Sequence, residues 1–200
     1  MEAEATVIIQ RTSAPSPAPS PTISALVNGA VSVREKETRL GRMQPLYIDK
    51  VQPEVNKAMN GVFAAIAKAN KEVGLDKTLT ELVNVRCSQM NGCPTCLSVH
   101  MPKARKVGVP QMKLDILDAW RTAEIYTPEE RAALRLAESL TICPNHWDPP
   151  AQVAQDIQSV FTPEQVAMLE WQIIAINASN RVSIGSDHPV RMVGYEEEAR

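Results

Sequence analysis

Two hundred residues, 44% apolar and 22% charged, have the composition of one globular domain with a core of ordinary size. Lysine and arginine number 21 against 23 aspartate and glutamate, a formal charge of −2, so nothing favours a nucleic-acid or anionic-membrane surface. Apolar runs such as 61–67 fall well short of the roughly 20 residues a spanning helix needs. The opening Met-Glu-Ala-Glu-Ala carries acids where a secretory signal carries positive charge. The expectation is a cytoplasmic protein with neither membrane nor nucleic acid as partner.

Residues 1–37 differ from the rest. Prolines at 15, 17, 19 and 21 alternate with serine and alanine, removing backbone donors and biasing the chain to extended geometry. A disordered arm is expected there, with a docking peptide for an aromatic groove as the alternative reading. Residues 38–200 are expected to form one helical domain.

From Leu40 onward the apolar spacing is helical. Over 52–73, Val55, Met59, Val62, Phe63, Ile66 and Val73 share a face, Pro53 suits a first turn and Gly74 a left-handed C-cap. A second helix is expected over 77–90, closed by Asn91-Gly92. A third runs from Cys93 to just before Gly108, and a fourth over 110–122. Thr127-Pro-Glu-Glu130 and Thr162-Pro-Glu-Gln165 are capping-box starts for two more. The latter leads into 166–180, where Val166, Leu169, Ile173 and Ile176 face one way. A short helix over 149–160 lies between them. No stretch alternates with a period of two between hairpin turns, so the fold class is all-α.

Three of the four cysteines, Cys87, Cys93 and Cys96, lie within ten residues; Cys143 stands apart. At about 100° per residue, Cys93, Cys96 and His100 on one helix fall within about 60° of arc. The start of a helix stabilises thiolate over thiol, and two intervening residues let the sulfurs approach bonding distance. His100, one turn beyond Cys96, is placed to take its proton. Zinc held by Cys93, Cys96, His100 and Cys87 is an alternative, although ligands nearly collinear on one helix begin a tetrahedron badly. Covalent haem needs histidine directly after the second cysteine, where Leu97 stands, and a thioredoxin-type motif needs a preceding strand. Inert buried thiols complete the alternatives to a redox dithiol.

The segment resembles the core motif of the carboxymuconolactone decarboxylase family, and within it the AhpD-like alkylhydroperoxidase branch. That motif has a glutamate twelve residues before the first cysteine of a C-x-x-C and a histidine four after the second. Glu81, Cys93, Cys96 and His100 occupy those positions. Ser88-Gln-Met-Asn-Gly-Cys93, the helix over 126–141 and the stretch 161–181 ending Ile-Asn-Ala-Ser-Asn-Arg are also similar, extending the likeness over about 39–190. The resemblance implies an all-α fold assembling as a homotrimer or homohexamer with no cofactor. It implies reduction of a hydroperoxide, with electrons from a thiol or dithiol donor such as a lipoyl or thioredoxin-like protein. Cys96 would be the attacking thiolate and Cys93 its resolving partner, with His100, positioned by Glu81, moving the proton. Dipole reasoning alone nominates Cys93, nearer the helix start, as the more acidic thiol. The family's decarboxylases generally lack the cysteine pair; a lyase or isomerase acting on a small lactone through Glu81 and His100 is the alternative function.

Departures from the motif are Thr95, where relatives carry histidine or an aromatic residue, and Pro94, which removes an N–H beside the site. Cys87 reads as a buried thiol, and His146 and His188 as loop or cap residues. Asn177 and Asn180 read as buried, hydrogen-bonded packing, with a pocket lining as the alternative.

Overall fold

The computed structural model describes residues 45–142, 150–192 and 194–195; the N-terminal arm, Cys143 and His146 lie outside them. Among the described residues every regular element is helical. In chain order these are α1 (Ile48–Val51), α2 (Pro53–Glu72), α3 (Lys77–Met90), α4 (Pro94–Val107), α5 (Gln111–Asp115), a 3₁₀ turn (Leu117–Ala119), α6 (Pro128–Thr141), α7 (Pro150–Val160) and α8 (Pro163–Gly185).

The central element is α3. From Leu79 to Ser88 every residue except Glu81 is buried, because α4, α6 and α8 cover it from different sides. Two apolar clusters meet on it. Leu79, Val83 and Cys87 join Ala133, Leu136 and Ala137 of α6, Val153 and Ile157 of α7, and Leu169, Ile173 and Ile176 of α8. On its other side Leu82 and Val85 pack with Ala104, Leu114, Leu117, Trp120 and Leu134. Burying a leucine or isoleucine contributes about 1.5–3 kcal/mol, so a helix apolar on two faces belongs inside.

Local signals set most boundaries. Both expected capping boxes form: Thr127 and Glu130 exchange side-chain-to-backbone bonds at the start of α6, and Thr162 and Gln165 do so at α8. The expected helix over 110–122 instead breaks into α5 and the 3₁₀ turn. Ile116 leaves helical geometry (φ −110°, ψ 18°), and the Trp120 indole N–H turns inward to the buried Glu138 carboxylate at 2.7 Å. Conversely, α8 runs past the expected end at Asn180 to Gly185. The Asn180 side chain is occupied by other helices and does not compete for its own backbone. On α2, Ile66 is buried and Met59, Phe63 and Val73 are half-covered, but Val55 and Val62, expected on the same inward face, remain exposed.

Candidate active site

The site begins at the turn between α3 and α4. Asn91 and Gly92 close α3, and Gly92 takes φ 61°, a left-handed conformation that glycine adopts without Cβ strain. The Gly92 N–H bonds the Gln89 carbonyl and the Cys93 N–H bonds the Ser88 carbonyl, both at 3.0 Å, which is a Schellman closure. Cys93 therefore ends one helix and caps the next. Its sulfur, at the N-cap of α4, accepts the Cys96 N–H at 3.3 Å. Pro94 follows at the first helical position, where a missing N–H costs nothing.

Helix α4 then presents Cys96 and His100 one turn apart. His100 Nδ1 lies 2.7 Å from Glu81 Oε2 on α3, and both side chains are about one-sixth exposed. Glu81 is thus the one opening in the otherwise buried stretch of α3. The expected residues Glu81, Cys93, Cys96 and His100 all lie where α3 and α4 pack together.

The two sulfurs differ in surroundings. Cys93 is fully buried, whereas Cys96 keeps 6% of its surface. Burial, followed by the adjoining Cys96, pushes the Cys93 thiol up to about 12 from its ordinary 9.0. The Cys96 N–H and a hydrogen bond from Ser183 pull in the opposite direction. At Cys93, desolvation opposes the stabilisation of thiolate that the helix start offers. Cys87 is buried as expected, its thiol also pushed up to about 12 by burial, with the Thr141 hydroxyl donating to it at 3.4 Å. Cys87, Cys93 and Cys96 are all free thiols.

Thr95 is buried and its hydroxyl is engaged by the His188 carbonyl, so it ties α4 to the segment after α8 rather than facing a substrate. The His188 ring meets Asp49 at 3.1 Å and tilts over Tyr47. Asn177 and Asn180 are buried and hydrogen-bonded, and both accept from the Asn91 side chain at 2.8 Å. Sequence reasoning missed that these asparagines hold the cysteine-bearing turn; only packing of α8 on α3 reveals it. Among the described residues no group of three histidine, cysteine, aspartate or glutamate side chains is arranged to hold a metal ion.

The chain is 35% identical over 135 residues to the uncharacterized protein YdfG of Bacillus subtilis, covering 68% of this chain and 88% of that one. In structure it is similar to an Agrobacterium tumefaciens protein of unknown function classed with the antioxidant defence protein AhpD. The TM-score is 0.67 at 24% identity, over 74% of this chain and 98% of the other. The debrominase Bmp8 is similar too, with a TM-score of 0.63 at 21% identity over 76% and 80% of the two chains. Residues 53–139, which span Glu81, Cys93, Cys96 and His100, match the carboxymuconolactone decarboxylase family. With its AhpD-like all-α fold, the chain belongs to the carboxymuconolactone decarboxylase family.

Proposed function

We propose that this protein is a thiol-dependent peroxidase of the alkyl hydroperoxide reductase type. In this reading the Cys96 thiolate attacks the terminal peroxide oxygen, the O–O bond breaks, and an alcohol or water leaves as Cys96 becomes a sulfenic acid. The Cys93 thiol then attacks that sulfur, water departs, and a Cys93–Cys96 disulfide remains for an external dithiol to reduce. His100, oriented by Glu81, accepts the Cys96 proton and returns one to the departing oxygen. A lipoyl or thioredoxin-like donor, a cytoplasmic setting and a homotrimer or homohexamer belong to the same reading.

One observation carries it: a sulfur pair at the α4 start, with a carboxylate-paired imidazole one turn beyond the more accessible sulfur. That is the acid–base and nucleophile set of a cycling dithiol. The debrominase on the same fold is a reminder that a scaffold hosts several chemistries, so the substrate is argued from the site. Purified protein supplied with a dithiol is expected to consume cumene hydroperoxide, and Cys96→Ser to abolish that consumption. Turnover that survives replacement of both Cys93 and Cys96 by serine would overturn the reading in favour of non-redox chemistry through Glu81 and His100.

A further inference from the structure

One side-chain amide grips the turn that carries Cys93. Asn91, two residues before it, donates from Nδ2 to the Cys87 carbonyl at 2.9 Å and to Asn177 Oδ1 and Asn180 Oδ1 of α8, both at 2.8 Å. Two amide hydrogens thus serve three converging oxygens. The α8 partners are held in their turn. Asn177 Nδ2 donates to the Thr141 hydroxyl of α6 and to the Ile173 carbonyl, each at 2.9 Å. Asn180, fully buried, donates to the Ser88 hydroxyl at 3.2 Å. Ser88 returns the chain of contacts to the cysteine: its hydroxyl donates to the Asn84 carbonyl at 2.8 Å, and its carbonyl receives the Cys93 N–H at 3.0 Å. Val83 and Cys87 of α3 already share an apolar cluster with Ile173 and Ile176 of α8. That attraction is non-directional, whereas hydrogen bonds weaken steeply once bent below about 120°, so the amides fix position and direction as well.

We propose that Asn91 is a positioning residue for the Cys93–Cys96 couple: by clasping Asn177 and Asn180 it holds the Cys93 turn still and so sets the reduction potential of the pair. The proposal rests on the dithiol reading above and adds what tunes it. Cys93 Sγ already caps α4 by accepting the Cys96 N–H, so the turn that Asn91 fixes is also the one that keeps this sulfur over the helix start. A disulfide gains over two separate thiols in proportion to how closely its sulfurs are held together beforehand, which is an effective concentration. In exchange with oxidised dithiothreitol the two protein thiols lose two electrons and two protons and the Cys93–Cys96 bond forms. The reagent's S–S bond breaks, and the same electrons and protons complete its two thiols. A clasped turn favours the protein disulfide in this exchange, and a loosened turn favours the protein thiols.

The test equilibrates the full chain with mixtures of reduced and oxidised dithiothreitol, quenches with iodoacetamide and reads the Cys93–Cys96 disulfide fraction by peptide mass spectrometry. Asn91→Ala is expected to lower the equilibrium constant for disulfide formation about tenfold, the order of effect of losing buried hydrogen bonds. For a two-electron couple that is a potential about 30 mV less negative. Asn180→Ala leaves Asn91 in place but removes its partner and the Ser88 tie, and is expected to shift the constant in the same direction. Leu114→Ala opens a cavity in the other apolar cluster, away from the clasp; it is expected to lower the urea midpoint and leave the constant unchanged. A constant unchanged in N91A and N180A overturns the proposal, as does an equal shift in L114A, which would assign the effect to general loosening. If peroxide fails to form the disulfide while the dithiothreitol equilibrium still depends on Asn91, the peroxidase reading falls and the role of Asn91 stands.

Discussion

Two buried thiols, Cys87 and Cys93, are each pushed up to about 12, and that has a consequence for stability. Below pH 9.0 the folded and unfolded chains both hold these protons. Between 9.0 and about 12 the unfolded thiols ionise and the folded ones do not, so stability is full below the first value and lost as pH rises toward the second. Urea midpoints are expected to fall from pH 9 upward, and to fall less steeply in Cys87→Ala, which removes one of the two groups. The proposed catalytic roles make a separate prediction. Replacing His100 by alanine removes the proposed proton carrier and is expected to slow peroxide-driven thiol oxidation by about a hundredfold, within the usual range for general acid–base work. Glu81→Gln keeps a hydrogen-bonding group but not the carboxylate paired with His100 at 2.7 Å, and a smaller loss is expected. Single-turnover kinetics distinguishes the two.

Between elements, the Glu138 carboxylate on α6 forms a buried polar tie. Its Oε1 accepts from Arg86 of α3 at 2.8 Å and from Trp120 at 2.7 Å, while Oε2 accepts from Arg121 at 2.7 Å. Glu138 is 2% exposed and Arg86 4%, so this is a buried ion pair whose desolvation cost offsets much of its attraction. Removing one member is another matter, because the other charge is left inside. Arg86 also holds Asp118 at 2.6 Å, but the Asp118 side chain is 89% exposed and its attraction is screened by water. Glu138→Leu is therefore expected to cost about 3 kcal/mol, the low end for breaking a buried pair, measured by chemical denaturation. The same tie explains why the helix expected over 110–122 breaks. Satisfying the indole inside outweighs the few backbone bonds that a continuous helix would add.

At the scale of the whole molecule, apolar surface remains to be accounted for. On α8, Trp171 and Ile174 are large apolar side chains that are each about half exposed. On α2, Val55 and Val62 carry the helical periodicity of an inward face and yet stand open. A chain that assembles would cover such surfaces, in keeping with the proposed homotrimer or homohexamer. Sedimentation equilibrium is expected to give three or six times 22.0 kDa, and Trp171→Glu to shift the protein toward the single-chain mass. A wild-type sample at the single-chain mass would remove the oligomer from the proposed function.

The helices were legible because their determinants are local. The capping boxes at Thr127 and Thr162, the glycine closures at Gly74 and Gly108 and the three-four spacing of apolar residues all act within about one turn to three turns of chain. The same holds for Cys93, Cys96 and His100, whose shared face follows from helical rotation alone. Glu81 was legible only through family resemblance, since nothing local distinguishes it from a solvated acid. What the tertiary structure decided is the state of those groups. Desolvation in a core shared by α3, α4 and α8 opposes the acidity that the helix start favours at Cys93. The Asn180 contact with Ser88 arises from chain 92 residues away from the helix end it holds. Helical rotation places a side chain on a face from its neighbours in sequence, but solvation and hydrogen-bond partners depend on which distant face packs against it.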